Sequence, residues 1–378
     1  MKSHQPGELT LTEELVIEKG SAYVYYAFDV GASIELDKAE WILAAEKKKA
    51  PSQEKKRQSK YFEYTPPPIR WREEIPVTPI GSRFQNLSTA EMLLFDFGSV
   101  SVRFEIPING PISNIIDLSV ELYENAKLQE AARILVAKLI DRIRAVIDKP
   151  KLAPRTEDYC IFHFSKITPE LSIDNLLENY VNPLACVLRA ETSAPSDREA
   201  QEILSDRISY GSNDVTLMSW HGAVIYGENA EDIYAVLEFA NLVLMELSYL
   251  DTNLDQSLDE FYDFFTKYRG KGILSGFKSK RPMMQGISQL QIESAILFER
   301  ITNALKLMGD DFQAKVFRLA SKKMGLNSWD ASISRKLQTI ESIYKKISDA
   351  EGGRRMEVLE VIIILLFLIS IFQSSHIL

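Results

Sequence analysis

Residues 361–372 (VIIILLFLISIF) limit what this chain can fold into more than any other stretch. Ser370 is their only polar residue. A run apolar on every side needs either a large core around it or a lipid phase. A membrane span takes about 20 residues, with a lower limit of roughly 17. The block reaches that length only by counting back through Met356, which takes in Glu357 and Glu360. The expected anchor residues are Val358, Leu359, Val361, Ile362, Ile363, Ile364, Leu365, Leu366, Phe367, Leu368 and Ile369, within a transmembrane tail anchor spanning 356–373. Lys345, Lys346, Arg354 and Arg355 precede the block, and no Lys or Arg follows it. The positive-inside rule then puts the N-terminal body in the cytoplasm, with a bacterial inner membrane as the expected location.

Composition restricts the rest. The chain has 378 residues, of which 46% are hydrophobic, too few for a multi-span membrane protein. The net charge of -9 argues against a dedicated nucleic-acid binder, whose footprint is a basic surface. The two cysteines, Cys160 and Cys186, make no disulfide framework and point to a reducing compartment. The N-terminus has no apolar signal region and is rich in Glu rather than Arg.

Period-2 and period-3.6 patterns place the elements. AYVYYAF (22–28) reads as a strand, and residues 37–45 as a short helix. Residues 47–71 combine a lysine-rich run with Pro66, Pro67 and Pro68 and are expected to be an extended basic insertion. Residues 92–97 and 99–108 read as a hairpin turning at Gly98. Residues 114–147 read as two consecutive helices, 159–164 as a strand and 173–188 as a helix. NDVTLMSWHGAVIYG (213–227) reads as two strands divided at Gly222. The elements do not alternate as in a doubly wound sheet. The expectation is therefore an α+β domain at 21–228, after an N-terminal segment at 1–20, with a mixed or largely antiparallel sheet.

From Glu231 onward the pattern is helical. Ile233, Leu237, Ala240, Leu244 and Leu247 repeat at spacings of four and three, a heptad seam that Asp251 interrupts. A polar residue in a seam either fixes register or lets the helices part there. A second seam runs through Leu290, Ser294, Leu297, Ile301, Ala304 and Met308, and a third through Ile333, Leu337, Ile340, Tyr344 and Ile347, on a helix expected to start near Trp329 with Ser328 as its cap. The region 229–350 is read as a helical bundle or coiled-coil hairpin, the alternative being a helical domain packed on the sheet.

The chemistry-bearing residues do not assemble into a recognisable set. Cys160 and His163 are three apart on a strand and should face opposite sides, which leaves half a metal site at most. His221, with Asp214 upstream, is the place where an acid–base site would sit; the competing reading is a structural histidine. Gly270, Gly272 and Gly276 lie in a basic stretch, but their spacing is not that of a phosphate loop. No catalytic, cofactor or metal residues are assigned, and nothing in the sequence favours an enzyme.

Four stretches carry a family resemblance: NDVTLMSWHGAVIYG (213–227), VLEFANLVLMELSYLDTNLD (236–255), SRKLQTIESIYKKI (334–347) and RRMEVLEVIIILL (354–366). Through them the chain resembles the required-for-meiotic-nuclear-division proteins, as a bacterial member. That resemblance implies a membrane-attached protein that oligomerises or scaffolds, without an established enzymatic activity. The combined expectation is a membrane-anchored, non-enzymatic scaffold or assembly protein that forms a homo-oligomer and has protein partners. The alternative is a membrane-tethered factor contacting RNA or the ribosome through residues 47–60 and 269–281. An undetected enzyme stands behind both.

Overall fold

The structure is a computed structural model and describes residues 14–47, 66–228, 230–267, 290–292, 294–296, 298–299 and 311–342. The expected anchor, its basic flank, Leu297, Ile301, Ala304, Met308, Tyr344, Ile347, the glycine-rich basic stretch and most of the basic insertion lie outside the described residues. The chain divides into two compact units, 1–249 with 296–328 and 250–295 with 329–378.

The first unit is α+β and built on one large mixed sheet. In chain order its elements begin with β1 (Val16–Asp29), β2 (Ser33–Ile34), α1 (Leu36–Lys47), β3 (Ile69–Glu74), β4 (Pro79–Ile80), β5 (Phe84–Gln85), β6 (Thr89–Leu94) and β7 (Ser99–Pro111). Then come α2 (Ile112–Leu122), α3 (Ala126–Ile143), β8 (Ile147–Asp148), β9 (Glu157–Thr168), α4 (Ile173–Arg189), α5 (Asp197–Ser205), β10 (Val215–Met218) and β11 (Gly222–Tyr226). The long helix α6 (Glu231–Lys267) follows, and later α7 (Asp311–Lys323). We label the helix at 326–342 α8. The main sheet has the order β10-β11-β9-β1-β7-β6-β3. Its neighbours are antiparallel except for β11 and β9, which run parallel.

Strand alternation sorts side chains onto two faces. Val24, Tyr26 and Phe28 of β1 share one face with Val102 and Phe104 of β7, Met92 of β6 and Phe162 of β9. They form one apolar core with residues of α2, α3 and α4 such as Ile115, Leu139 and Leu184. Each such side chain contributes about 1.5–3 kcal/mol when fully buried, so this face is the main source of stability. Local signals fix the helices that cover it. Asn125 caps α3 by accepting from the Leu128 amide at 3.0 Å, and Ser172 caps α4. Gly98 turns the β6–β7 hairpin at φ 84, and a Cβ there would lie 1.7 Å from the Gly31 carbonyl oxygen. Only glycine fits both demands.

Three expectations change. The last residues of the expected insertion, 69–71, are not part of it: they begin β3, the edge strand, paired to β6 from Ile69↔Leu94 to Glu74↔Thr89. α6 has no narrow seam. Ile233, Leu237, Ala240 and Leu247 are buried, but so are Val236, Phe239, Leu242, Val243 and Met245. The heptad is a subset of a helix enclosed on several sides, with Phe239 between Phe95 of the β6–β7 turn and Phe317 of α7. Residues 231–260 are also long and apolar enough to cross a membrane, yet 78% of their most apolar stretch is buried inside the protein. Finally, Ser328 is not a cap. α8 has begun by 326, and the Ser328 hydroxyl donates to the Gly325 carbonyl at 2.6 Å.

In the second unit the residue that interrupts the seam is held by an ion pair. Asp251 accepts from Lys336 Nζ at 2.8 Å and from the Ser332 hydroxyl at 3.0 Å. Lys336 also reaches Asp255 at 2.6 Å. Leu254, Ile333 and Ile340 are fully buried, so a buried charge is neutralised among apolar residues and the seam does not part there.

Candidate functional site

The second face of the sheet is polar at its centre, and the first part of α6 covers it. On β6, Glu91 stands opposite Arg72 of β3 and Arg103 of β7 in the ladder. Its carboxylate accepts from Arg70 at 2.6 Å and from Arg72 Nε at 2.5 Å, and it also pairs with Arg103. Burial acts to raise the Glu91 pKa, but the three guanidinium groups outweigh it and hold the carboxyl below its usual range. Arg103 carries a second contact, its guanidinium lying 5.2 Å over the Tyr23 ring.

Glu238, on α6, is buried over this cluster. Desolvation raises its pKa against the pull of Arg70 and Arg103. The Ser101 hydroxyl beside it and the Tyr25 hydroxyl beside Arg103 are buried without a partner in full hydrogen-bond geometry. Glu91, Arg103 and Glu238 are covered here, while Arg70 and Arg72 on the edge strand are partly exposed. Glu91 is neutralised by its arginines, two of which, Arg70 and Arg103, also attract Glu238 of α6; the cluster suits holding the helix and not acting as a base.

Further along the same face, Tyr234 and His163 meet. Nε2 of His163 lies 2.7 Å from the Gly227 carbonyl and must donate to it. Nδ1 therefore accepts from the Tyr234 hydroxyl at 2.5 Å. Burial lowers the His163 pKa. Both ring nitrogens are satisfied, so His163 is a structural histidine.

The other sequence candidates fall apart in space. Cys160 belongs to the apolar core on the opposite face from His163. Among the described residues, no group of three or more His, Cys, Asp or Glu side chains is placed to hold a metal ion. Asp214 precedes β10, where it accepts from the Tyr210 and Gly211 amides at 2.7 and 2.5 Å. His221 follows β10, at its other end, so the two do not form a pair. At that end the His221 ring lies 5.4 Å from Tyr123 and 4.6 Å from Trp220, and burial lowers its pKa to about 4. Sequence reading named His221 but missed the companions that the α2–α3 turn and β9 supply. Their only early signal was WH at the end of an apolar strand.

The family profile described as "Uncharacterized protein MJ0711, N-terminal domain" matches residues 19–232, which runs from β1 into the first turn of α6. The uncharacterized protein MJ0711 of Methanocaldococcus jannaschii is 23% identical over 240 residues, covering 64% of this chain and 72% of its own. No solved structure matches the chain. These findings overturn the resemblance to the required-for-meiotic-nuclear-division proteins and the assignment to a bacterial member. Of the four stretches behind it, only 213–227 falls wholly inside the matched span. The other three are amphipathic or aliphatic helical patterns, which unrelated helices share.

Proposed function

Because the chain belongs to the family of the N-terminal domain of uncharacterized protein MJ0711, a family whose description carries no activity, we propose a function from its own residues. The protein is a membrane-held, non-enzymatic scaffold or assembly factor that acts as a homo-oligomer. Its α+β unit lies on the cytoplasmic side. A helical bundle or coiled-coil hairpin in the second unit leads to a C-terminal transmembrane helix at 356–373.

One observation carries this reading: Asp251 and Asp255 are tied to Lys336 across two helices of the second unit. A charge fixed among buried aliphatic residues sets register between helices. Helix pairing of defined register, a few residues before a basic flank and an aliphatic block, is what a stalk feeding an anchor requires. The first unit fits the same reading. Its buried charges, Glu91, Arg103 and Glu238, are paired or attracted to one another where α6 meets the sheet.

The test is chemical crosslinking in native membranes, followed by solubilisation and mass determination. A ladder of crosslinked homo-oligomers with co-purified protein partners is expected. A monomer without partners would remove the scaffold reading.

A further inference from the structure

The end of the sheet where β10 turns into β11 meets the turn between α2 and α3. We propose that Tyr123, Trp220 and His221, together with the carboxylates of Glu124 and Asp158, form a docking site for an arginine side chain of a partner protein.

The three rings are in mutual contact. Tyr123 lies 6.0 Å from Trp220 at 86° and 5.4 Å from His221 at 78°. Trp220 is 58% exposed and Tyr123 39%, whereas His221 is 8% exposed. Two exposed aromatic side chains thus stand over a buried imidazole. An indole this exposed turns part of its ring to solvent, and an indole face attracts a cation more strongly than the face of any other side chain.

The charges beside the rings are negative. Burial raises the Tyr123 pKa, and the nearby negative charges of Glu124 and Asp158 add to it. Asp158 is largely buried on β9, and the charged groups acting on it are Glu157 and Glu124, both acidic. Glu157 is turned to other partners, Arg155 at 3.0 Å and the Ser248 hydroxyl at 3.0 Å. An aspartate surrounded by like charge lacks the counter-cation that a buried carboxylate ordinarily has.

His221 supplies an independent sign of a missing ligand. Its Nδ1 is buried without a hydrogen-bond partner. Burial keeps the ring neutral, so it adds no positive charge that would repel a cation held by the rings above it. A guanidinium group matches the exposed rings, the carboxylates and the neutral imidazole beneath them. It stacks on aromatic faces, forks onto carboxylates and carries N–H donors to spare. A lysine ammonium lacks the plane and the fork.

The proposal depends on the scaffold reading only in assigning the arginine to a partner protein. Binding of the side chain itself does not require membrane attachment, so the two fail separately. The test uses the full chain in detergent and ligand-observed saturation-transfer NMR, with N-acetyl-arginine amide as the probe and N-acetyl-citrulline amide as its neutral isostere. A saturable, arginine-selective signal is expected, weakened about threefold to tenfold in Trp220→Leu and in Asp158→Asn. Trp220 is exposed, so its replacement keeps the fold, which circular dichroism checks. No signal, equal signals from both probes, or unchanged binding in both variants would overturn the proposal.

Discussion

Lys336 holds Asp251 at 2.8 Å and takes Asp255 as a second partner at 2.6 Å. The polar residue that breaks an otherwise apolar repeat is thus paired, and both partners are mostly buried. Removing one partner should leave a charge stranded. Lys336→Ala is expected to destabilise the protein by about 2–3 kcal/mol in urea denaturation. The double variant Asp251→Leu, Lys336→Leu should recover the loss or exceed wild type, since apolar replacement of a buried pair is often stabilising. Additive losses in the double variant would mean that the pair does not act as a unit.

Glu91 tests the polar face of the sheet. Glu91→Gln keeps the shape but leaves Arg70, Arg72 and Arg103 without their shared counter-charge. A loss of about 3 kcal/mol is expected by chemical denaturation. The pH dependence follows from the lowered pKa of Glu91. Its folded pKa is below the unfolded one, so its contribution is present above the unfolded carboxylate range and lost as pH falls through the folded value. The gap between wild type and Glu91→Gln should therefore close on acidification.

Asp158 has the opposite sign. Burial and its acidic neighbours raise its pKa from 3.8 to about 6. The folded state then binds more protons than the unfolded state between those two values, and stability falls as pH rises through that window. Asp158→Asn should be more stable than wild type at neutral pH by about 1–2 kcal/mol. Below the window the two should converge. Thermal denaturation across the window measures this. A residue kept at a cost to stability fits a binding role, because the same substitution is expected to weaken arginine binding.

Gly98 is the strictest position in the β6–β7 hairpin. Gly98→Ala places a methyl group against the Gly31 carbonyl and forces alanine into φ 84. The expected loss exceeds about 3 kcal/mol, read as low soluble yield or an early urea midpoint.

Much of the first unit was readable from sequence. AYVYYAF marked β1 because it is rich in aromatic and β-branched residues, and Gly98 marked the hairpin as a residue free to take the positive φ of a tight turn. The edge strand β3 was not readable. It follows three prolines and carries Arg70, Arg72, Glu73 and Glu74, a composition that resembles a solvated loop. Arg70 and Arg72 find their partner in Glu91 of β6, and Glu73 is gripped by Arg142 of α3 at 2.9 Å. The aromatic site at the sheet end was hidden for the same reason, since Tyr123, Asp158 and Trp220 are distant in sequence and topology alone joins them. On α6 the heptad was real but misleading, because a helix buried on several sides contains many apolar subsets.

Membrane attachment through residues 356–373 is the central proposal. Deleting residues 358–378 and separating membranes from soluble protein by flotation tests it most directly. The account predicts that the full chain floats with vesicles after a high-salt wash, while the truncated chain stays in the soluble fraction with its fold intact. A truncated chain that floats as the full one does, or a full chain that never floats, would contradict it.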